Sequence, residues 1–116
     1  MPTRRQETPP LTSAAFYILL ALVDRERHGY AIMQEVAAAS QERIRIGPGT
    51  LYGNLKRMLA SGLVAESDER PDPKLDDQRR RYYRLTPHGK RLLRAEVERL
   101  SRAVDAAKAK KVWAAK

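Results

Sequence analysis

Residues 47–86 restrict the fold more than any other stretch of this chain. The stretch opens on Gly47-Pro48-Gly49-Thr50 and closes on Arg79-Arg80-Arg81-Tyr82-Tyr83-Arg84-Leu85-Thr86. Pro48 suits the first turn of a helix, where its fixed φ is already helical and its missing N–H would have had no partner. Gly62 suits the position just past a helix end, which calls for left-handed backbone. The spacing predicts a helix over about 48–61, with Leu51, Leu55, Met58 and Leu59 as its buried stripe. Thr50, Asn54, Lys56 and Arg57 fall off that stripe, and Tyr52 lies at its edge. Residues 63–67 read as an outgoing strand and 80–85 as its return. In the return, Tyr83 and Leu85 share one face and Tyr82 and Arg84 the other. The connecting loop, 68–78, sets Asp68, Glu69, Asp72, Asp76 and Asp77 against Arg70 and Lys74. A short, sharply started helix followed by a hairpin with a basic return strand describes a winged helix-turn-helix, mainly α with a small β wing.

The other segments fit around that unit. Residues 1–10 are polar and proline-bearing and are expected to form a flexible arm. A first helix is predicted over about 12–24, capped by Thr12 or Ser13. Its apolar residues surround it, so it needs cover on more than one side; a domain this small covers one, and the other calls for a partner. Arg27-His28-Gly29 breaks the chain before a second helix over about 29–39, on which Tyr30, Met33, Val36 and Ala37 share a face. Ile44-Arg45-Ile46 alternates enough for a short strand. Thr86-Pro87 caps and opens a last helix, and no breaker follows between Lys90 and Lys116, so that helix is expected to be long. Along it Leu93, Val97, Leu100, Val104 and Ala107 step by four and three, a seam that suits a partner helix. Phe16, Leu93, Val97, Leu100 and Val104 are the predicted dimer contacts. The expected organisation is an arm over 1–10, a DNA-binding domain over 11–86, and a dimerisation helix with a basic tail over 87–116.

Charge and composition narrow the function. A chain of 116 residues supports one domain with a modest core plus one further element. Its net charge of +9 is confined to the last third: 79–116 hold 13 Lys/Arg against 3 acids, whereas 1–78 hold 10 against 11. That concentration favours a polyanionic partner, because neutralising phosphates releases counterions; a basic surface with no particular partner is the plainer reading. The acidic loop tip is repelled by phosphate, so the base of the wing is the part expected to face DNA. With no cysteine, disulfides and thiolate metal sites are excluded, and the chain fits a reducing cytoplasm. The apolar run 14–23 is ten residues long, against the roughly 20 that span a membrane. Asp24-Arg25-Glu26-Arg27 stands where a signal peptide would carry its small-residue cleavage site. His28 and His88 lack companion ligands, the loop acids lack the ordered spacing of a calcium site, and no phosphate loop or nucleophile–base pair is present. No metal, cofactor or enzymatic activity is expected.

Five pieces of sequence now stand together: 17–22 (Tyr-Ile-Leu-Leu-Ala-Leu), 28–32 (His-Gly-Tyr-Ala-Ile), 48–52 (Pro-Gly-Thr-Leu-Tyr), 62–64 (Gly-Leu-Val) and 81–89 (Arg-Tyr-Tyr-Arg-Leu-Thr-Pro-His-Gly). In order and spacing, over about 11–107, the chain resembles the PadR family of bacterial transcriptional regulators. Winged helices at large share only the basic strand and its Thr-x-x-Gly ending, so the His-Gly-Tyr and Pro-Gly-Thr-Leu-Tyr pieces carry the resemblance. It implies a homodimer on a two-fold-related operator, usually a repressor and often released by a small molecule. With one C-terminal helix the chain is similar to the short-tailed subgroup. Multidrug-sensing relatives sandwich flat apolar compounds between aromatics of that helix. The matching position here is Leu100, and the only tryptophan, Trp113, lies near the chain end. Phe16, Leu100 and Val104 are therefore candidates either for an apolar effector cavity or for plain interface packing.

The DNA-facing residues follow from the fold. Thr50 and Asn54 suit base edges or phosphates, Tyr52 can donate its hydroxyl to a phosphate, and Lys56 and Arg57 suit the backbone. The resemblance adds Pro48, and again Thr50 and Tyr52, as the segment that meets DNA. Two roles stay open here: Pro48-Gly49-Thr50 as a mere helix start, and Tyr52 as partly core. Arg79, Arg80, Arg81 and Arg84 suit phosphate or a narrow minor groove, in competition with Asp76 and Asp77. The expected function is a sequence-specific double-stranded DNA-binding regulator, a homodimeric repressor of a pseudo-palindromic operator with a small apolar effector. The alternatives are a winged-helix adaptor that binds an acidic protein and a nonspecific nucleoid-type binder.

Overall fold

The computed structural model describes the backbone of residues 10–67, 70–71 and 79–112, and the side chains of 10–67 and 81–112. The expectations for the arm, the acidic loop tip, Trp113 and the basic tail lie outside the described residues. The elements run α1 (Ser13–Ala21), β1 (Arg27–His28), α2 (Gly29–Ala39), α3 (Pro48–Ala60), β2 (Val64–Glu66), β3 (Arg70–Pro71), β4 (Arg79–Arg80), β5 (Tyr82–Leu85) and α4 (Pro87–Ala109). This is the expected winged helix-turn-helix with a long C-terminal helix. No helix among the described residues is long and apolar enough to cross a membrane.

Helix ends follow local chemistry. The Thr12 hydroxyl accepts the Ala15 N–H at 3.1 Å and starts α1. Helix α1 stops at Ala21, short of the expected 24, where Arg27 Nε donates to the Ala21 carbonyl at 2.7 Å. His28 Nδ1 accepts the Ala31 N–H at 3.2 Å and caps α2. At the far end of α2, Gln41 N–H reaches the Ala38 carbonyl (3.2 Å) and Glu42 N–H the Ala37 carbonyl (2.7 Å). That closing turn puts Gln41 at φ 56° and Glu42 at φ 66°. Gly62, at φ 77°, ends α3 in the same way, with its N–H on Leu59 and that of Leu63 on Met58.

In the second helix Ile32 and Val36 are fully buried, and Met33 packs partly buried against the same core. Tyr30, Met33 and Ala37 share the expected face and, with Ile46, line an open groove of about 500 Å³. The expected strand at 44–46 is absent; the Ile44 N–H is taken by the Ser40 hydroxyl at 2.9 Å, leaving this stretch as the turn between α2 and α3.

The three-stranded sheet has order β1-β5-β2, antiparallel throughout. Arg27 faces Tyr83 and His28 faces Tyr82 on one side of β5; Val64 faces Leu85 and Glu66 faces Tyr83 on the other. Beyond Ser67, whose N–H donates to the Tyr82 carbonyl at 2.7 Å, β3 and β4 extend the hairpin with Arg70 opposite Arg80 and Pro71 opposite Arg79.

Ile18, Leu19, Ile32, Val36, Leu51 and Leu55 form the fully buried centre, each contributing on the order of 1.5–3 kcal/mol by leaving water. Helix α4 is seated on this body through Thr86. Its hydroxyl accepts the Gly89 N–H at 3.0 Å and donates to the Gly62 carbonyl at 2.6 Å. A Cβ on Gly89 would lie 2.1 Å from the Leu63 carbonyl oxygen, so only glycine permits this approach. Helix α4 is long, as expected, and ends at Ala109, where Lys111 at φ 66° closes the turn. Of the predicted seam, Leu93 is buried in the protomer's own core, a correction to its assignment as a dimer contact. Val97 (44% exposed), Leu100 (37%) and Val104 (48%) are left outside. Phe16 is half-buried and meets Tyr17 edge-on at 5.4 Å.

Candidate nucleic-acid interface

Helix α3 begins without a side-chain cap: Gly47 holds the cap position and Pro48 the first turn. The first backbone bond is Leu51 N–H to the Gly47 carbonyl at 3.0 Å. The N–H groups of Gly49 and Thr50 therefore lack intrahelical partners, on exposed residues. From that start, Thr50, Lys56 and Arg57 are exposed and Tyr52 is 47% exposed, as expected of an outward face.

Asn54 is the correction. It is only 9% exposed, because it falls between Leu51, Leu55 and Met58 on the helix surface. Its amide nitrogen donates to the Thr50 carbonyl at 2.9 Å, so it is buried and held against its own helix rather than standing outward as expected.

Tyr52 meets the start of α2. A Cβ built on Gly29 would lie 2.1 Å from the Tyr52 hydroxyl oxygen, so the ring lies across the one place where α2 has no side chain. Behind it, Tyr83 is buried in the sheet, and burial first, then Tyr52 and Glu66, push its hydroxyl pKa above the ordinary 10.0. Tyr83 thus stays neutral, paired across the sheet with Arg27 of β1 and Glu66 of β2.

The wing carries its charge unevenly. Arg84 is exposed on β5, as expected from the alternation. Arg81 interrupts the hairpin between β4 and β5 and pairs with Glu66 at 3.4 Å; the expected competition from Asp76 and Asp77 lies outside the described residues. Arg79 and Arg80 lie in β4, with their side chains outside the described residues. His28 was missed as a component of this surface: besides capping α2, its ring meets Tyr82 edge-on at 5.3 Å. A histidine just before a helix signalled the cap; nothing local signalled the contact with Tyr82. His88 is exposed in the first turn of α4. Among the described residues no group of three His, Cys, Asp or Glu could hold a metal ion.

A family model described as the transcriptional regulator PadR-like family matches residues 18–95. The chain belongs to the PadR family. PadR proteins are transcriptional regulators, not enzymes. This PadR chain is 40% identical over 91 residues to transcriptional regulator Rv3488 of Mycobacterium tuberculosis, covering 76% of the chain and 78% of that relative. It is 38% identical over 89 residues to an uncharacterized 37.1 kDa protein in transposon TN4556 of Streptomyces fradiae, covering 77% of the chain but only 23% of that protein. Among solved structures, a PadR family regulator from Clostridium difficile R20291 superposes with a TM-score of 0.70 at 22% identity, over 84% of this chain and 97% of that one. Bacillus subtilis PadR, solved in complex with operator DNA, gives 0.64 at 20% identity, over 74% and 47%. These two likenesses establish the PadR fold.

Proposed function

We propose that this chain binds double-stranded DNA sequence-specifically as a homodimer and represses transcription from a pseudo-palindromic operator in the cytoplasm. One observation carries the reading: the uncapped start of α3, with Thr50, Tyr52, Lys56 and Arg57 beyond it, stands clear of the protomer's own core. Open N–H groups and short polar side chains at a helix start suit phosphates and base edges in a major groove. Pro48 fixes that start, and Arg79, Arg80, Arg81 and Arg84 brace the phosphate backbone. The operator complex of Bacillus subtilis PadR, a protein of the same fold, supports the reading.

Residues 11–86 form the DNA-binding unit in this proposal, and 87–116 the dimerisation helix and tail, with 1–10 as an arm. The uncovered Val97, Leu100 and Val104, with Phe16, supply the contact between copies. A small apolar effector seated among Phe16, Leu100 and Val104 would release the operator. The two reading helices then lie one turn of B-DNA apart, about 34–36 Å.

Fluorescence anisotropy on DNA fragments selected from the source genome, repeated across a salt series, tests this. Affinity is expected to fall with salt at a log–log slope of about −0.9 per phosphate neutralised, and Lys56→Ala to weaken every sequence by a similar factor. A flat salt response would overturn the proposal. Dimers that shift no DNA would favour the protein adaptor, and equal binding to all sequences the nucleoid-type binder.

A further inference from the structure

We infer that Gly29 is a positioning residue for DNA reading: its missing side chain seats Tyr52 and so fixes the height of the tyrosine hydroxyl above the outer face of α3. The inference rests on the proposed contact between Tyr52 and DNA. A Cβ at Gly29 would meet the Tyr52 hydroxyl at 2.1 Å, Cζ at 2.8 Å and Leu51 Cδ2 at 3.2 Å. Gly29 has no left-handed φ, so backbone conformation does not demand glycine there; space does. Gly47 and Gly49, nearer the reading surface in sequence, have nothing within 4 Å of an added Cβ.

The seat is anchored on two sides. His28 caps α2 with its Nδ1 and sets its ring against Tyr82 of the wing, while β1 pairs with β5 at Arg27–Tyr83 and His28–Tyr82. Tyr52 therefore rests on the start of α2, which the preceding β1 joins to β5 of the wing. Its ring is half-exposed, so a methyl group at 29 displaces the ring toward solvent, while the buried Leu51 must give by a few tenths of an ångström. A hydrogen bond tolerates only a few tenths of an ångström; a shift sufficient to relieve a 2.1 Å contact removes the hydroxyl from its partner.

The test compares the full-length chain with Gly29→Ala, Tyr52→Ala and the double variant. Three readouts are taken: anisotropy on the selected DNA fragment, thermal melting, and tyrosine ring resonances without DNA. Gly29→Ala is expected to move the Tyr52 ring signals, leave those of Tyr17 in place and melt modestly below the parent while still unfolding cooperatively. Its DNA binding should weaken about ten-fold, the loss of one hydrogen bond to a charged group. In the Tyr52→Ala background the same change should alter affinity by less than about two-fold, because its route of action is gone. Unmoved Tyr52 signals, or an equal loss in both backgrounds, overturn the inference. If Tyr52→Ala itself binds DNA like the parent, the Tyr52 contact falls, while the ring signals still decide whether Gly29 seats the side chain.

Discussion

Gln41 and Glu42 adopt left-handed backbone, at φ 56° and 66°, a region that costs a side-chain-bearing residue roughly 1–2 kcal/mol. Both sit in the turn that feeds α3, and Glu42 pairs with Arg45. Replacing Gln41 with glycine removes that cost against a smaller loss of chain entropy. Gln41→Gly should therefore stabilise the fold by about 0.5–1 kcal/mol, seen as a higher urea midpoint at unchanged m-value. Glu96 governs a second residue-level property. Its carboxylate accepts from Arg99 at 3.1 and 2.6 Å and from the Leu11 N–H at 3.4 Å. The Arg99 hydrogen bond, opposed by desolvation, holds its pKa below the ordinary 4.5. A depressed folded pKa adds stability above the ordinary value that is lost as pH falls through the folded one. Glu96→Gln should flatten the fall in melting temperature below pH 4.5 relative to the parent.

At the level of elements, the wing sets its own competition. Glu66 of β2 holds Arg81 at 3.4 Å, so phosphate must displace a carboxylate to reach that guanidinium. Glu66→Gln is expected to tighten DNA binding by about threefold, the scale of an exposed ion pair, and to steepen its salt dependence in an anisotropy series. The elements also mark where sequence is readable. Helix limits at Thr12, Pro48, Gly62 and Thr86 were legible because caps and stops are chemistry between near neighbours. Strand β1 was not: two residues become a strand only because β5 passes beside them. Ile44-Arg45-Ile46 had the alternation of a strand, but the Ser40 hydroxyl four residues back claims its N–H. Asn54 was read as outward from its polarity, although a carbonyl one turn earlier lets an amide lie on the buried stripe. The exposed members of α3 could be listed from periodicity, whereas the seat of Tyr52 could not, since it depends on how closely α2 and α3 approach.

For the whole molecule, the apolar residues left outside make association the decisive property. Leu100→Glu is expected to turn the proposed dimer into monomers in sedimentation while far-UV circular dichroism keeps its helical signal, because Leu100 stands outside the protomer's core whereas Leu93 is buried in it. Operator affinity should drop sharply, with one half-site left to bind at a time. The junction at Gly89 gives this arrangement its mechanical character. With the Leu63 carbonyl 2.1 Å from where a Cβ would stand and the Thr86 hydroxyl bridging to Gly62, there is no slack between α4 and the wing. In the proposed dimer, two protomers joined through α4 would behave as a pair of stiff levers sharing a fulcrum. In the proposed complex a rotation imposed where the helices meet would pass through this junction to the base pairs, so operator spacing and any effector response would be settings of one joint.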